Sequence, residues 1–222
     1  MNRESDGAAI VLVGQFNPAI IQPSWLARWG LIRGDEADTA NLEGIVPEAS
    51  RFAIADWLNV SVSTDRFQLA ARDQAHFGPL RDLAVGIFEL LAHTPVSAFG
   101  VNRAMHYSIE SKELWHAIGH ALAPKHYWNA LLPPVGMRSL QVEGHRKGSP
   151  AKSAAMTVEP SARVDPGVYL AYNEHFALDE SEGSEVWLEL FREHWDSALD
   201  FAGDLADSVL EEALREHQAD GT

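Results

Sequence analysis

The stretch that decides the fold is EVWLELFREHWDSALDFAGDLADSVLEEA, residues 185–213 of a 222-residue chain. An α-helix advances about 100° per residue, and counting from Trp187 at that step places ten more apolar residues on the same side. They are Leu190, Phe191, Trp195, Ala198, Phe201, Ala202, Leu205, Ala206, Val209 and Ala213. A stripe this broad packs against a protein core. The sequence therefore predicts a long amphipathic helix that closes the chain.

The opposite side of this predicted helix is acidic. It carries Glu185, Glu189, Glu193, Asp196, Asp200, Asp204, Asp207 and Glu211. Residues 179–220 hold 14 of the 32 acidic residues and two basic ones, so they account for −12 of the net charge of −15. Like charges one turn apart destabilise a helix by about 0.2–0.5 kcal/mol per pair, so packing of the apolar stripe must hold it. The acidic face is a solvated surface, an interface for a basic partner, or a mimic of a nucleic-acid backbone.

Length and composition fit a single domain over residues 1–222, with possible halves at 1–110 and 111–222. The absence of cysteine excludes disulfides, a thiolate nucleophile and cysteine metal sites, and it fits a reducing cytoplasm. The net charge argues against binding to nucleic acid or anionic membranes. The apolar run at 8–13 is too short for a signal-peptide core or a membrane span. We therefore expect a soluble cytoplasmic protein with no nucleic-acid or membrane partner.

One segment runs against the overall charge. Between residues 138 and 163, five basic residues face only two acidic ones, Glu143 and Glu159. The basic residues are Arg138, Arg146, Lys147, Lys152 and Arg163. We expect this segment to neutralise part of the acidic helix, within one chain or between two.

Hydrophobic periodicity and turn signals predict the remaining elements. Strands are predicted at 8–16, 52–62, 67–71, 96–109, 136–144, 154–158 and 168–177, and helices at 24–32, 79–91 and 111–122. Residues 33–50 are polar with scattered Gly and Pro, which predicts a surface loop. Helices that follow groups of antiparallel strands favour an α+β fold, a mainly antiparallel twisted sheet covered on one face by helices. A succession of a strand pair, a further strand and a helix occurs twice along the chain, so a degenerate internal duplication is possible.

The best metal candidate is Glu113, His116 and His120. Their Glu-x-x-His-x-x-x-His spacing puts all three on one helix face, and two histidines four residues apart can chelate zinc. The Glu of a His-Glu-x-x-His motif, which would supply a general base, is missing. The three residues are therefore either a solvated polar face or a metal site, and the sequence predicts no cofactor.

Two further groups are candidates for binding. Asn102 and Arg103 lie on a predicted central strand, where an amide and a guanidinium could orient a ligand in a sheet–helix groove. The alternative is a bulge or close backbone contact at Gly100. Trp25 and Trp29 lie four residues apart on a short predicted helix, and exposed aromatic residues favour protein contacts. The run His126-Tyr127-Trp128 could join them at an interface.

Three segments in the middle of the chain carry a family resemblance. They are Phe67-Gln68-Leu69, the predicted helix at 79–91, and Ala98-Phe99-Gly100-Val101-Asn102. This succession resembles a widespread group of bacterial α+β proteins in which a Gly-x-x-Tyr-x-Asn strand follows a β-α unit and a long helix ends the chain. Here the shorter Gly-Val-Asn stands in place of that motif. The resemblance covers about half of the chain and implies no assigned activity, so it supplies no functional residue.

These patterns favour a non-enzymatic interaction or assembly protein, most simply a homodimer. It would use the acidic helix face and the surface tryptophans. The first alternative is a small-molecule-binding domain with a groove near Asn102 and Arg103. The second is a histidine-dependent metal enzyme.

Overall fold

The computed structural model describes residues 1–178 and 184–220, with side chains described to residue 178 and over 186–216. The strands are β1 (Asn2–Gly14), β2 (Asn41–Val46), β3 (Ala49–Ile54), β4 (Leu58–Ser63), β5 (Arg66–Ala71), β6 (Val96–Ser108), β7 (Leu140–Gly144), β8 (Ser153–Pro160) and β9 (Gly167–Ala177). The helices are α1 (Pro23–Arg28), α2 (Gly34–Asp38), α3 (Phe77–Leu90), α4 (Lys112–Leu122) and α5 (Ser184–Asp220). Within the described ranges, no helix combines the length and the apolar character that crossing a membrane requires.

The strands form one antiparallel sheet in the order β2-β3-β4-β5-β1-β6-β9-β8-β7. The two longest strands, β1 and β6, pair at its centre, from Asn2↔Ser108 to Gly14↔Val96. The outermost strands are β2 and β7. The predicted α+β class, the antiparallel sheet and the long C-terminal helix are confirmed. Strands from both predicted halves belong to this one sheet.

One face of the sheet is covered by α3, α4 and α5. The aromatic side chains of Trp187, Phe191 and Trp195 are buried. The Trp187 ring contacts that of Phe88 on α3 edge-on at 5.0 Å, and the Phe191 ring meets that of Phe99 on β6. Further along α5, small residues pack on β6, β8 and β9, while Ile118 of α4 completes this second part of the core. The predicted apolar stripe is thus the side of α5 that faces the sheet.

The N-terminal region differs from its prediction in three places. β1 begins at Asn2 rather than residue 8. The predicted strand 52–62 is two strands, because Ala55 adopts a positive φ of 48° and turns the chain from β3 into β4. The predicted loop 33–50 is wrong, since it holds α2, β2 and the start of β3. Every residue of β2 is exposed, so this outer strand lacks the alternation of apolar and polar residues that reveals a half-buried strand.

Candidate functional site

The acidic face of α5 is only partly free for a partner. Glu189, Glu193, Asp200 and Asp204 are exposed. Asp196 is exposed too, but its carboxylate accepts a 2.8 Å hydrogen bond from Arg81 of α3. The side chain of Glu185 lies outside the described residues. The interaction face predicted from the sequence is therefore a row of exposed carboxylates with one of its members tied to α3.

Asp207 has a different environment from the rest of the row. Its carboxylate is half-buried and accepts hydrogen bonds from Arg3 at 2.7 Å and from the Tyr107 hydroxyl at 2.7 Å. Burial, followed by the bond to Asp207, raises the pKa of Tyr107 above its ordinary value. Asp207 thus holds α5 to the two central strands, and its main role is in the fold.

Arg103, predicted to contact a ligand, is buried against the helix layer. Its guanidinium makes a two-pronged ion pair with Asp6 at 2.8 and 2.6 Å, and it also donates to the Leu199 carbonyl of α5. Arg3 and Gln74 donate to the same Asp6 carboxylate at 2.9 and 2.8 Å. A buried charge is tolerated only when paired and hydrogen-bonded. This network supplies those partners and locks α5 onto β1 and β6.

Asn102 points to the other face of the sheet, since neighbouring residues of a strand alternate. Its carbonyl oxygen accepts a 2.8 Å hydrogen bond from Asn173 of β9, and its amide donates to the Gly100 carbonyl at 3.1 Å. A Cβ at position 100 would lie 2.9 Å from the Asn173 amide nitrogen. The pairing of β6 has no register shift at Gly100. Gly100 therefore marks a close contact and not a bulge, and Asn102 and Arg103 do not share one groove.

This second sheet face carries a broad groove of about 940 Å³. Small residues such as Gly7, Ala9 and Ala104 form its floor, and the Asn102–Asn173 pair crosses it. Further polar side chains line it: Asn59, Gln68, Arg72, His106, Thr157, Glu159, Arg163 and Tyr169. The groove is open and polar, and it can offer amide and guanidinium hydrogen bonds to a ligand.

His106 lies at one end of this polar groove. One of its ring nitrogens lies 2.8 Å from the Ser161 hydroxyl, and its ring lies 4.7 Å from the Tyr169 ring. Burial, together with the nearby Arg163 charge, lowers the pKa of His106 below its ordinary value. This shift favours the neutral imidazole, which can donate or accept a hydrogen bond.

Among the described residues, no side chain of the basic segment forms an ion pair with the acidic face of α5, although Arg146 donates a 3.4 Å hydrogen bond to Ser197 of that helix. Arg146 instead pairs with the fully buried Glu174 of β9, at 2.9 and 3.0 Å to its two oxygens. Ser149 and Tyr172 also donate to this carboxylate. Burial and then the Glu174 charge raise the pKa of Tyr172. The cluster fastens the β7–β8 connection onto β9, and the guanidinium of Arg146 lies 5.8 Å from the Phe201 ring of α5.

Beside this cluster, an apolar cleft of about 300 Å³ opens between α5 and the outer strands. Its walls are Leu122, Leu140, Val142, Met156, Val158, Tyr172, Phe201, Leu205 and Val209. Val142 of β7 lies opposite Met156 of β8 and so faces the helix layer with it. Met156 is buried, but 60 % of Val142 is exposed. The helix layer therefore ends at β8 and leaves the inner face of β7 uncovered.

The chain leaves this cleft at Leu122 and returns to it at Leu140. Four large apolar residues in between are exposed: Tyr127 by 72 %, Trp128 by 58 %, Leu131 by 87 % and Leu132 by 67 %. Backbone bonds from Leu131 and Leu132 to the Trp128 carbonyl make this segment a turn. We call these four residues together with Val142 the apolar edge. It includes several of the most exposed large apolar side chains of the described chain, four of them within six consecutive residues.

The two predicted surface tryptophans have different environments. Trp25 of α1 packs against the main core and is half-buried, whereas Trp29, just after α1, is 54 % exposed. Of these two tryptophans, only Trp29 presents a large aromatic surface to a partner.

The metal candidates occupy one exposed side of α4, as their spacing indicates. Glu113, His116 and His120 are all exposed, and His120 lies 3.5 Å from the Lys125 ammonium. Across the described residues, however, no three His, Asp or Glu side chains are grouped closely enough to hold a metal ion.

The apolar edge and the cleft were largely missed by the sequence reasoning. The run Tyr-Trp-Asn-Ala-Leu-Leu at 127–132 did carry a signal. It concentrates large apolar residues between Pro124 and the Pro133-Pro134 pair, and these residues show neither helical nor strand periodicity. Relatives give no independent indication of function. No protein-family model matches this chain, and no curated protein matches its sequence.

Proposed function

We propose that this chain is a protein-interaction module that binds its partner through the apolar edge. The observation that carries the proposal is the joint exposure of Tyr127, Trp128, Leu131 and Leu132, in the connection that joins Leu122 and Leu140 of an open apolar cleft. Scattered exposed apolar residues are normal on a protein surface, but a contiguous patch marks an interaction site. Tyr and Trp are also the residues most enriched at binding hot spots.

The acidic face of α5 would act at longer range. Glu189, Asp200 and Asp204 have no ion-pair partner among the described residues, and the Glu193 carboxylate lies 4.0 Å from the Nε2 of its neighbour His194. A row of one charge sign raises the encounter rate with a complementary surface and repels like-charged ones. This face would therefore select among partners, while the apolar edge would supply most of the binding free energy.

A site-specific photo-crosslinker tests this proposal in the cells that make the protein. A crosslinking residue placed at Leu132 should capture a defined protein, and Leu131→Asp in the same chain should abolish the adduct. The control position is Val13 of β1, which is exposed by 44 % and lies away from the apolar edge. The same adducts at both positions, or none at Leu132, would reject the proposal.

A second candidate function rests on the polar groove. Its 940 Å³ volume and the Asn102–Asn173 pair suit a polar ligand. A ligand screen by thermal shift would test it. A true ligand raises the melting temperature of the wild type and has no effect on Asn102→Leu, whereas Leu131→Asp responds like the wild type.

A further inference from the structure

We infer that the partner at the apolar edge is a second copy of this chain, joined through the outer edge of β7. This inference rests on the proposed function and names the partner. Two features of the described residues support it, the free edge of β7 and the uncovered inner face at Val142, and the exposed turn at 127–132 supplies further apolar surface.

The outer edge of β7 is a free hydrogen-bonding surface. Among the described residues, β7 is the last strand of the sheet and pairs with β8 alone, in a regular register from Leu140↔Val158 to Gly144↔Ala154. Such an edge can pair with another strand unless it is blunted. The opposite edge, β2, is blunted because a register shift between Leu42 and Gly44 disturbs its pairing. β7 is therefore the edge that is prepared for extension.

Symmetry restricts how two β7 strands can pair. Two copies related by a twofold axis perpendicular to the sheet pair antiparallel and keep their helices on the same side. If the axis passes through Val142, all five residues of β7 pair: Leu140 with Gly144, Gln141 with Glu143, and Val142 with Val142. This register puts an amide opposite each Glu143 carboxylate, whereas an axis through Glu143 would put two like charges opposite each other.

The same arrangement covers what the single chain leaves open. Joining two sheets at β7 creates one continuous inner sheet face, formed by β7 and β8 of both copies. The α5 helix of each copy borders this face on one side. The exposed turns at 127–132 belong to the connection between Leu122 and Leu140, which both line the cleft. Each turn can then place its leucines on the apolar surface of the other copy, which makes the contact self-complementary, as a twofold interface requires.

The exposed apolar area reaches the minimum expected of a specific dimer interface. Aromatic side chains bury about 150–250 Å² each, so the exposed parts of Tyr127 and Trp128 offer about 250 Å². Burying a Leu or Val side chain is worth about 1.5–3 kcal/mol at about 25 cal/mol per Å², which corresponds to an area of roughly 60–120 Å². Because Leu131, Leu132 and Val142 are only partly exposed, we count roughly 60–100 Å² for each. The sum is about 500 Å² per copy and about 1,000 Å² per pair, which reaches the lower range of specific interfaces. The β7–β7 hydrogen bonds come in addition.

Sedimentation equilibrium on the full chain tests the inference. The wild type should reach twice its 24.4 kDa mass. Val142→Lys and Leu131→Asp should each weaken association by about tenfold or more. Both residues are exposed in the single chain, so neither change should impair folding, which circular dichroism would verify. The matched control is Leu42→Lys on β2, exposed by 56 %, which should remain dimeric.

A cysteine crosslink tests the register itself, because the chain has no cysteine of its own. Directly opposite residues of antiparallel strands have Cα atoms about 4.5–5.5 Å apart, within the range of a disulfide. Val142→Cys should therefore form a covalent dimer on mild oxidation. Gln141→Cys should not, because the two copies of residue 141 would be about two residues out of register.

Three results would overturn the inference. They are a monomer at every concentration, a dimer that survives Val142→Lys and Leu131→Asp, and a dimer dissociated by Leu42→Lys instead. If the wild type is monomeric while the crosslinker at Leu132 still captures a different protein, the dimer is rejected and the proposed function remains. If both experiments are negative, both proposals fail.

Discussion

Gly203 offers the sharpest test of how α5 is fixed to the sheet. Glycine in a helix interior normally costs about 1 kcal/mol relative to alanine, so Gly203→Ala should stabilise an ordinary helix. Here the new Cβ would lie 2.6 Å from the Arg103 nitrogen that donates to Leu199. The guanidinium cannot move aside freely, because it is held by Asp6 and lies 5.5 Å from the Phe77 ring.

The size of the effect follows from two opposing contributions. Losing a hydrogen bond from a charged group costs about 1.5–3 kcal/mol, and the helix propensity of alanine returns about 1 kcal/mol. The net loss is about 0.5–2 kcal/mol in the free energy of unfolding. With a urea m-value of about 3 kcal/mol per molar, the midpoint should fall by roughly 0.2–0.7 M.

Urea unfolding of two matched variants would measure this effect. Gly119→Ala in α4 is the control, because a Cβ there meets nothing within 4 Å, and it should stabilise the protein by about 1 kcal/mol. In an Arg103→Leu background, Gly203→Ala should lose its penalty. A stabilising Gly203→Ala in the wild-type background would refute the role assigned to Arg103.

The other predictions concern the buried pairs and the acidic face. Asp6→Asn should lower the free energy of unfolding by about 3 kcal/mol, because it leaves Arg103 buried with a weakened partner. The control is Asp35→Asn at the exposed pair with Arg33, which should change the free energy of unfolding by under about 1 kcal/mol. The urea midpoints of the two variants measure both effects. The raised pKa values of Tyr107 and Tyr172 mean that the fold keeps these phenols protonated. Their stabilising contribution is present below pH 10 and is lost above it, by about 1.4 kcal/mol per pH unit for each tyrosine. Alkaline unfolding of Tyr172→Phe should therefore show a shallower loss, and an unchanged slope would contradict the assignment. Glu193→Gln removes a like-charge neighbour of Glu189 and should stabilise α5 by about 0.2–0.5 kcal/mol at low salt, a gain that should vanish at high salt in thermal unfolding.

The sequence predicted those parts of the fold that have a local signature. The apolar residues of α5 recur at helical spacing over many turns, so both its existence and its buried side followed from the sequence. The central strands followed from alternation and β-branched content. β2 did not, because it is exposed on both faces and its pairing with β3 has no local pattern.

The candidate site was less accessible from the sequence, for a physical reason. The ion pair of Arg103 joins residues 97 positions apart, and nothing near either residue indicates its partner. The sequence did, however, imply that Asn102 and Arg103 lie on opposite faces of the sheet, because adjacent residues of a strand face opposite sides. The exposure of Leu131 and Leu132 depends on where the helix layer ends, which only the packed structure determines.

The central claim is that the edge at β7 binds a second copy, and amide hydrogen exchange as a function of protein concentration tests it most directly. Raising the concentration should slow exchange in peptides that cover β7 and the turn at 127–132, and leave β2 unchanged. Exchange in β7 that stays equally fast at every concentration would contradict the account.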